Sequence, residues 1–185
     1  MAPFVHTCVW LTHVFGAQER AEKAKFEGHE DIVMNMISMT GLNNIVSASL
    51  DTTVRIWDTY TGQETNKLCG HNKGVFSLSY NPEQRFVVSA GFDHDAYVWS
   101  PFVNTLLFKL TGHSSSLVGC ECVPNSHELV TADSSGVFKI WDLRNFMCTQ
   151  TFTSEHEAGD LNDLNGLSSF AHVKLPAGGG DYTQR

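Results

Sequence analysis

At 185 residues, with 42% hydrophobic and 11% aromatic content, the chain has the material for an ordinary packed domain and is not compositionally disordered. Its 12 Lys and Arg stand against 20 Asp and Glu, and the formal net charge of −8 opposes approach to a phosphate backbone, which excludes nucleic acid as a general partner. Five cysteines, an odd number without a regular framework, exclude a disulfide-stapled secreted scaffold and fit a reducing, cytoplasmic compartment.

Residues 1–20 carry no repeat mark. The apolar start Met1 to Phe15 lacks a positive leading segment and is interrupted by His6 and His13, which argues against a signal peptide. No stretch reaches the roughly 18 to 20 apolar residues that a membrane span needs. A strand follows in AEKAKFEG, and there a repeat begins. Gly-His recurs at Gly28-His29, Gly70-His71 and Gly112-His113, and a Trp at Trp57, Trp99 and Trp141, each series stepping by 42 residues. A hydroxyl residue stands ten positions before each Trp, at Ser47, Ser89 and Thr131. The aligned cores read IVSASLDTTVRIWD, FVVSAGFDHDAYVWS and LVTADSSGVFKIWD.

Within each unit the segments between the marks read as four short strands. VFSLSY, RFVVSA and AYVW are rich in β-branched and aromatic residues and are bounded by turn formers such as Asn81-Pro82. The fourth strand is QETNKLC, then NTLLFKL, then MCTQTF. This predicts an all-β chain of three units over residues 28–69, 70–111 and 112–152, within a repeat region of 21–152. Residues 153–175 read as an acidic loop, with GLSSFAHVKLP as the candidate opening strand of a fourth unit. Residues 176–185 read as a Gly-rich disordered tail.

A period of 40 to 45 with Gly-His and Trp-Asp marks resembles the WD-repeat family, whose units are four-stranded β-propeller blades. The resemblance implies three full blades with partial flanking ones, AEKAKFEGHE supplying the last strand of a preceding blade. Three blades leave an incomplete ring with open sheet edges, which predicts self-association. It further implies a buried network in each blade, through His29, Ser47, Asp51 and Trp57, then His71, Ser89, Asp93 and Trp99, then His113, Thr131 and Trp141. These types suit burial because indole donates only, carboxylate accepts only, and hydroxyl and imidazole do both. In the third unit Ser135 occupies the aligned Asp position and Asp133 lies two residues earlier, so that network is expected to be weaker or rerouted. Ser100 replaces the Asp after Trp99. On a finer scale AGFDHDAYVW, FKIWDLRNFMCTQTF and EHEAGDLNDLNGL resemble the large WD-repeat proteins of cilia and flagella, some with EF-hand segments, including the WD-repeat-protein-on-Y-chromosome group. That likeness makes the chain a fragment or truncated relative of a longer scaffold, and leaves open a truncated product with no independent function.

The expected function is a non-catalytic protein-protein interaction scaffold, in the cytoplasm and in a cilium or flagellum. Residues expected to line the mouth of the ring are Glu30, Ile32 and Leu50, then Asn72, Gly74 and Phe92, then Ser114, Ser116 and Ser134, with Leu50 and Phe92 as exposed apolar anchors. Packing against a neighbouring loop is the alternative for both. No cofactor is expected, and no GxSxG, HExxH, GxxxxGK or GxGxxG is present. The co-occurring His, Ser and Asp recur with Trp at a fixed period, whereas a catalytic constellation is needed once. The competing reading is a metal-dependent enzyme with Cys120, Cys122 and His113 as ligands, but a zinc site wants a second ligand pair at similar spacing and none is found. DLNDLNG, residues 160–166, fails as a calcium loop: Leu164 falls at a ligand position, Gly166 is one residue late and Ala171 replaces the final Glu.

Overall fold

A computed structural model describes residues 4–8, 11–15 and 22–153, with side chains from residue 25 onward. Every regular element among them is a β-strand, so the all-β expectation is borne out. The acidic loop after Thr153, the calcium-loop segment 160–166, the candidate fourth-unit strand and the Gly-rich tail lie outside the described residues.

Three four-stranded antiparallel sheets follow one another along the chain, each strand pairing with its sequence neighbour. The first is β4 (Val33–Ser38), β5 (Asn44–Ser49), β6 (Thr53–Asp58) and β7 (Glu64–Cys69). The second is β8 (Val75–Asn81), β9 (Phe86–Gly91), β10 (Ala96–Ser100) and β11 (Thr105–Leu110), and the third is β12 (Leu117–Cys122), β13 (Glu128–Asp133), β14 (Val137–Asp142) and β15 (Met147–Thr153). Ahead of them β1 (Phe4–Cys8), β2 (Leu11–Phe15) and β3 (Glu22–Phe26) form a three-stranded sheet in the order β1-β2-β3. The sequence bears no repeat mark over β1 and β2, yet FVHTC and LTHVF pair with Val5 opposite Val14 and Phe4 opposite Phe15. Hairpin pairing needs only two short β-prone runs and a tight connection, and neither requires Gly-His or Trp.

The repeat is visible in backbone detail. The register slips between Ile56 and Trp57, between Val98 and Trp99, and between Ile140 and Trp141, so each marker Trp sits at a bulge. The turns before the third strands need a left-handed residue, supplied by Thr52 (φ 71°), His94 (φ 71°) and Gly136 (φ 81°) at aligned positions.

The sheets pack face to face, with β8 beside β4 and β5, and β12 beside β8 and β9. A central strand is therefore covered on both faces, which is why β5, β6 and β9 are nearly continuous in buried residues rather than alternating. One core joins Val46, Val54 and Ile56 of the first sheet to Val75, Leu78 and Val87 of the second. The next joins Val88, Val98 and Leu110 to Leu117, Cys120 and Leu129 of the third. Each such side chain contributes roughly 1.5 to 3 kcal/mol when fully buried. Among the described residues the sheets do not close into a ring.

Candidate functional site

In each four-stranded sheet the Gly-His loop, the second strand and the third strand are tied by one chain of hydrogen bonds. The Trp57 indole N–H donates to Ser47 Oγ at 2.8 Å, Ser47 Oγ lies 2.7 Å from His29 Nε2, and His29 Nδ1 lies 2.7 Å from Asp51 Oδ2. Trp99, Ser89, His71 and Asp93 repeat it at 2.7, 2.7 and 2.9 Å. Because the indole can only donate and the carboxylate only accept, the direction is fixed for a neutral imidazole. The hydroxyl donates to Nε2, and Nδ1–H donates to the carboxylate. His29, His71, Ser47 and Ser89 are all buried, so complete pairing avoids the 1 to 3 kcal/mol cost typical of each orphaned polar group.

Of the two expectations for the third network, weaker or rerouted, the structure has the second, with every bond of the chain made. Asp133, at the end of β13, accepts His113 Nδ1–H at 2.8 Å, while His113 Nε2 lies 2.7 Å from Thr131 Oγ1 and Trp141 donates to Thr131 at 2.8 Å. Ser135, which holds the aligned Asp position, donates its hydroxyl to Asp133 Oδ1 at 2.6 Å, much as Thr53 donates to Asp51 at 2.6 Å. The carboxylate has moved two residues along the chain and its partners have followed. Its side chain is 0% exposed, against 7% for Asp51 and 5% for Asp93.

Burial alone pushes the Asp51, Asp93 and Asp133 carboxyls up. Hydrogen bonds from imidazole and backbone N–H, joined by a hydroxyl at Asp51 and Asp133, outweigh that and hold all three below the usual carboxylate range. His113 moves the other way for an imidazole facing a carboxylate: burial holds it below its ordinary value despite Asp133. In all three sheets the carboxylate is thus held in its ionised form by the groups that bond it.

The metal-ligand reading fails on chemistry. Both ring nitrogens of His113 are engaged within its network. Cys120 and Cys122 are buried among apolar residues, where burial raises both thiols, Cys122 to about 12, and disfavours the thiolate that a metal requires. Among the described residues no three His, Cys, Asp or Glu side chains converge. Cys69, Cys120, Cys122 and Cys148 are free thiols.

Six of the nine residues expected at a mouth come together as three equivalent pairs. Leu50 N–H donates to Ile32 C=O, Phe92 N–H to Gly74 C=O and Ser134 N–H to Ser116 C=O, each at 2.9 Å. These six, with Glu30, Asn72 and Ser114 directly after the Gly-His marks, lie at the end of the array that carries the Gly-His loops. Glu30, Ile32, Asn72, Ser114 and Ser134 are exposed, and Gly74 and Ser116 are half-buried. Leu50 and Phe92 are half-buried as well, so the reading of both as exposed anchors is corrected. A Cβ on Gly74 would stand 2.7 Å from Leu50 Cδ2 and 3.4 Å from the Phe92 ring, and Phe92 meets Phe76 edge-on at 5.6 Å. Leu50 is covered by the neighbouring sheet and Phe92 by residues of its own sheet, which sequence position alone does not reveal. The exposed apolar side chain of the set is Ile32, at 41%.

The family description "WD domain, G-beta repeat" matches residues 21–58, 62–100 and 104–142. Each match begins with the outermost strand of one sheet and ends with the third strand of the next. The chain is 33% identical over 141 residues to Cilia- and flagella-associated protein 337 B of Tetrahymena thermophila, covering 76% of this chain and 11% of that protein. It is 26% identical over 144 residues to Protein tipD of Dictyostelium discoideum, covering 78% and 23%. A 39-residue stretch, 21% of the chain and 4% of the relative, is 51% identical to Coronin-7 of Mus musculus. The chain thus spans less than a quarter of the length of each of these relatives.

Proposed function

This chain belongs to the WD domain, G-beta repeat family, and on that footing we propose that it is a non-catalytic scaffold holding a protein partner at its Gly-His end. WD repeats imply protein interaction in general; the face and the residues are our reading. The observation that carries it is the threefold recurrence, at one end of the array, of exposed side chains on rigidly bonded loops: Glu30 and Ile32, Asn72, Ser114 and Ser134. Loops held by a stiff sheet scaffold present side chains at low entropic cost on binding. Ile32 is the exposed apolar side chain of that set, and its carbonyl accepts Leu50 N–H.

The assembly served is ciliary or axonemal in this reading, supported by the likeness to Cilia- and flagella-associated protein 337 B. No helix among the described residues is long and apolar enough to cross a membrane. The test is affinity capture from ciliated cells with wild-type chain and with an Ile32→Asp, Asn72→Ala, Ser134→Arg variant. Loss of specific partners with an unchanged unfolding curve is expected. An unchanged partner set rejects this face.

A further inference from the structure

The outer strands β7, β11 and β15 hold aligned positions 42 residues apart, and β11 differs in kind from the other two. Where β7 has Glu64, Thr65 and Asn66 and β15 has Cys148, Thr149 and Gln150, β11 has Leu106, Leu107 and Phe108. The middle residue of each trio is the one that the register slip leaves without a partner on the third strand. Thr65 turns its hydroxyl back and donates to the Ile56 carbonyl at 3.0 Å, and Thr149 does the same to Ile140 at 3.1 Å. Leucine has no donor to turn inward. Leu107 stands at the rim 40% exposed, beside Leu106 at 39%, and Phe102 and Val103 are exposed on the turn before them. Phe108 stacks on Phe146 of the third sheet at 4.6 Å, which holds the strand in place. Among the described residues no strand pairs with the outer edge of β11, so that edge is a row of backbone donors and acceptors lined by apolar side chains. β7 carries the exposed, charged Glu64 and Lys67 on its own outer strand, the usual guard against edge pairing. The one charge on β11 is Lys109, and Asp95 holds its ammonium at 2.8 Å.

We propose that β11 pairs with β11 of a second copy of this chain, antiparallel across a two-fold axis, joining the two second sheets into one continuous sheet. Charge selects this occupant. The chain carries a formal −8, yet residues 96–120 hold no Asp or Glu, so along this rim two copies approach without setting carboxylate against carboxylate. Antiparallel pairing also keeps the two Lys109–Asp95 ion pairs at opposite ends of the shared ladder. The contact removes Leu106 and Leu107 of both copies from water and satisfies the edge groups of both strands at once. An edge that meets its own copy is used up by the contact, so assembly stops at two. Each β11 runs toward the Gly-His loop that precedes β12, and the two Gly-His ends therefore point in opposite directions and both stay open. The pairing does not depend on what binds at those ends.

Size-exclusion chromatography with light scattering on the full chain over a range of concentrations tests this. The expected result is a plateau at twice the 20.5 kDa chain mass. Leu106→Glu and Leu107→Thr give β11 the residues that β7 carries at the same positions. Each should weaken the two-copy state about tenfold or more, since each change enters the two-fold contact twice. In Leu107→Thr the new hydroxyl can donate to the Val98 carbonyl as Thr65 does to Ile56, so its thermal midpoint should hold or rise while the pairing is lost. Added sodium chloride should leave the wild-type pairing as strong or strengthen it, because it screens the repulsion between two acidic chains. A single-chain mass throughout, a mass that climbs past two copies, or a two-copy state dispersed by salt overturns the proposal. Should Leu106→Glu fail to fold, Leu107→Thr carries the test, and a two-copy state that survives it overturns the β11 contact.

Discussion

Gly70 lies directly against the Trp99 indole: a methyl carbon at its Cβ position would stand 2.8 Å from Cη2. The ring is 1% exposed and hydrogen-bonded at Nε1, so it cannot retreat. Gly70→Ala is expected to destabilise the chain by about 1 to 3 kcal/mol, the usual range for overpacking. Gly112 differs, since its Cβ would lie 4.0 Å from Trp141 while its φ of 134° disfavours any side chain. Urea unfolding of both Ala variants reads the two causes separately, and an undisturbed Gly70→Ala would contradict the contact.

Trp57→Ala and Trp99→Ala should each cost about 3 to 5 kcal/mol, the range for deleting a buried aromatic. Because Asp133 completes the third network, Trp141→Ala belongs in the same range rather than below it. Equilibrium denaturation of the three variants ranks them. A Trp141 effect well under 2 kcal/mol would show the rerouted network to be slack.

Stability should fall in two stages as the solution is acidified. His113 has a folded-state value below 6.5, so its contribution is complete above that pH and is lost as pH falls, when the unfolded chain takes up the proton first. The lowered carboxyls of Asp51, Asp93 and Asp133 contribute fully above 3.8 and lose that contribution below it. Thermal midpoints from pH 8 to pH 3 should be level, then decline from about pH 6.5, then drop more steeply below about pH 4. In His113→Gln the first decline should flatten.

Thr52 holds a left-handed conformation at φ 71°, which costs a β-branched residue about 1 to 2 kcal/mol, while Gly136 meets the same need in the third sheet. Thr52→Gly should therefore stabilise the first sheet by up to about 1 kcal/mol, less the entropy glycine gives to the unfolded chain. A lowered thermal midpoint would mean that the threonine is held by contacts that outweigh its strain.

Much of this was legible in the sequence because the repeat is chemical as well as periodic. Trp57, Ser47 and His29 can be buried together only if each satisfies the next, so their spacing fixes the fold of the loop and two strands. Asp133 escaped alignment because a carboxylate two residues earlier reaches the same imidazole by a different path, and Ser135 then takes the hydroxyl role. For Leu50 and Phe92 the sequence leaves exposure and loop packing open, and the structure half-buries both, Leu50 against Gly74 of the adjoining sheet and Phe92 against Gly74 and Phe76 of its own. These contacts depend on sheet packing, to which no short motif corresponds. β1 and β2 carry no mark because a hairpin can form without the relay.

Each Gly-His imidazole is bonded to the sheet that the chain is about to enter, not to the one it has just left. His71 is anchored to Ser89 and Asp93 of the second sheet, although it follows directly on β7 of the first. The crossover therefore travels with the later sheet when the array opens. The weakest seam runs just before Gly70 and Gly112, so native-state hydrogen exchange should resolve cooperative units that each include their own incoming loop, an end sheet detaching with its relay still closed.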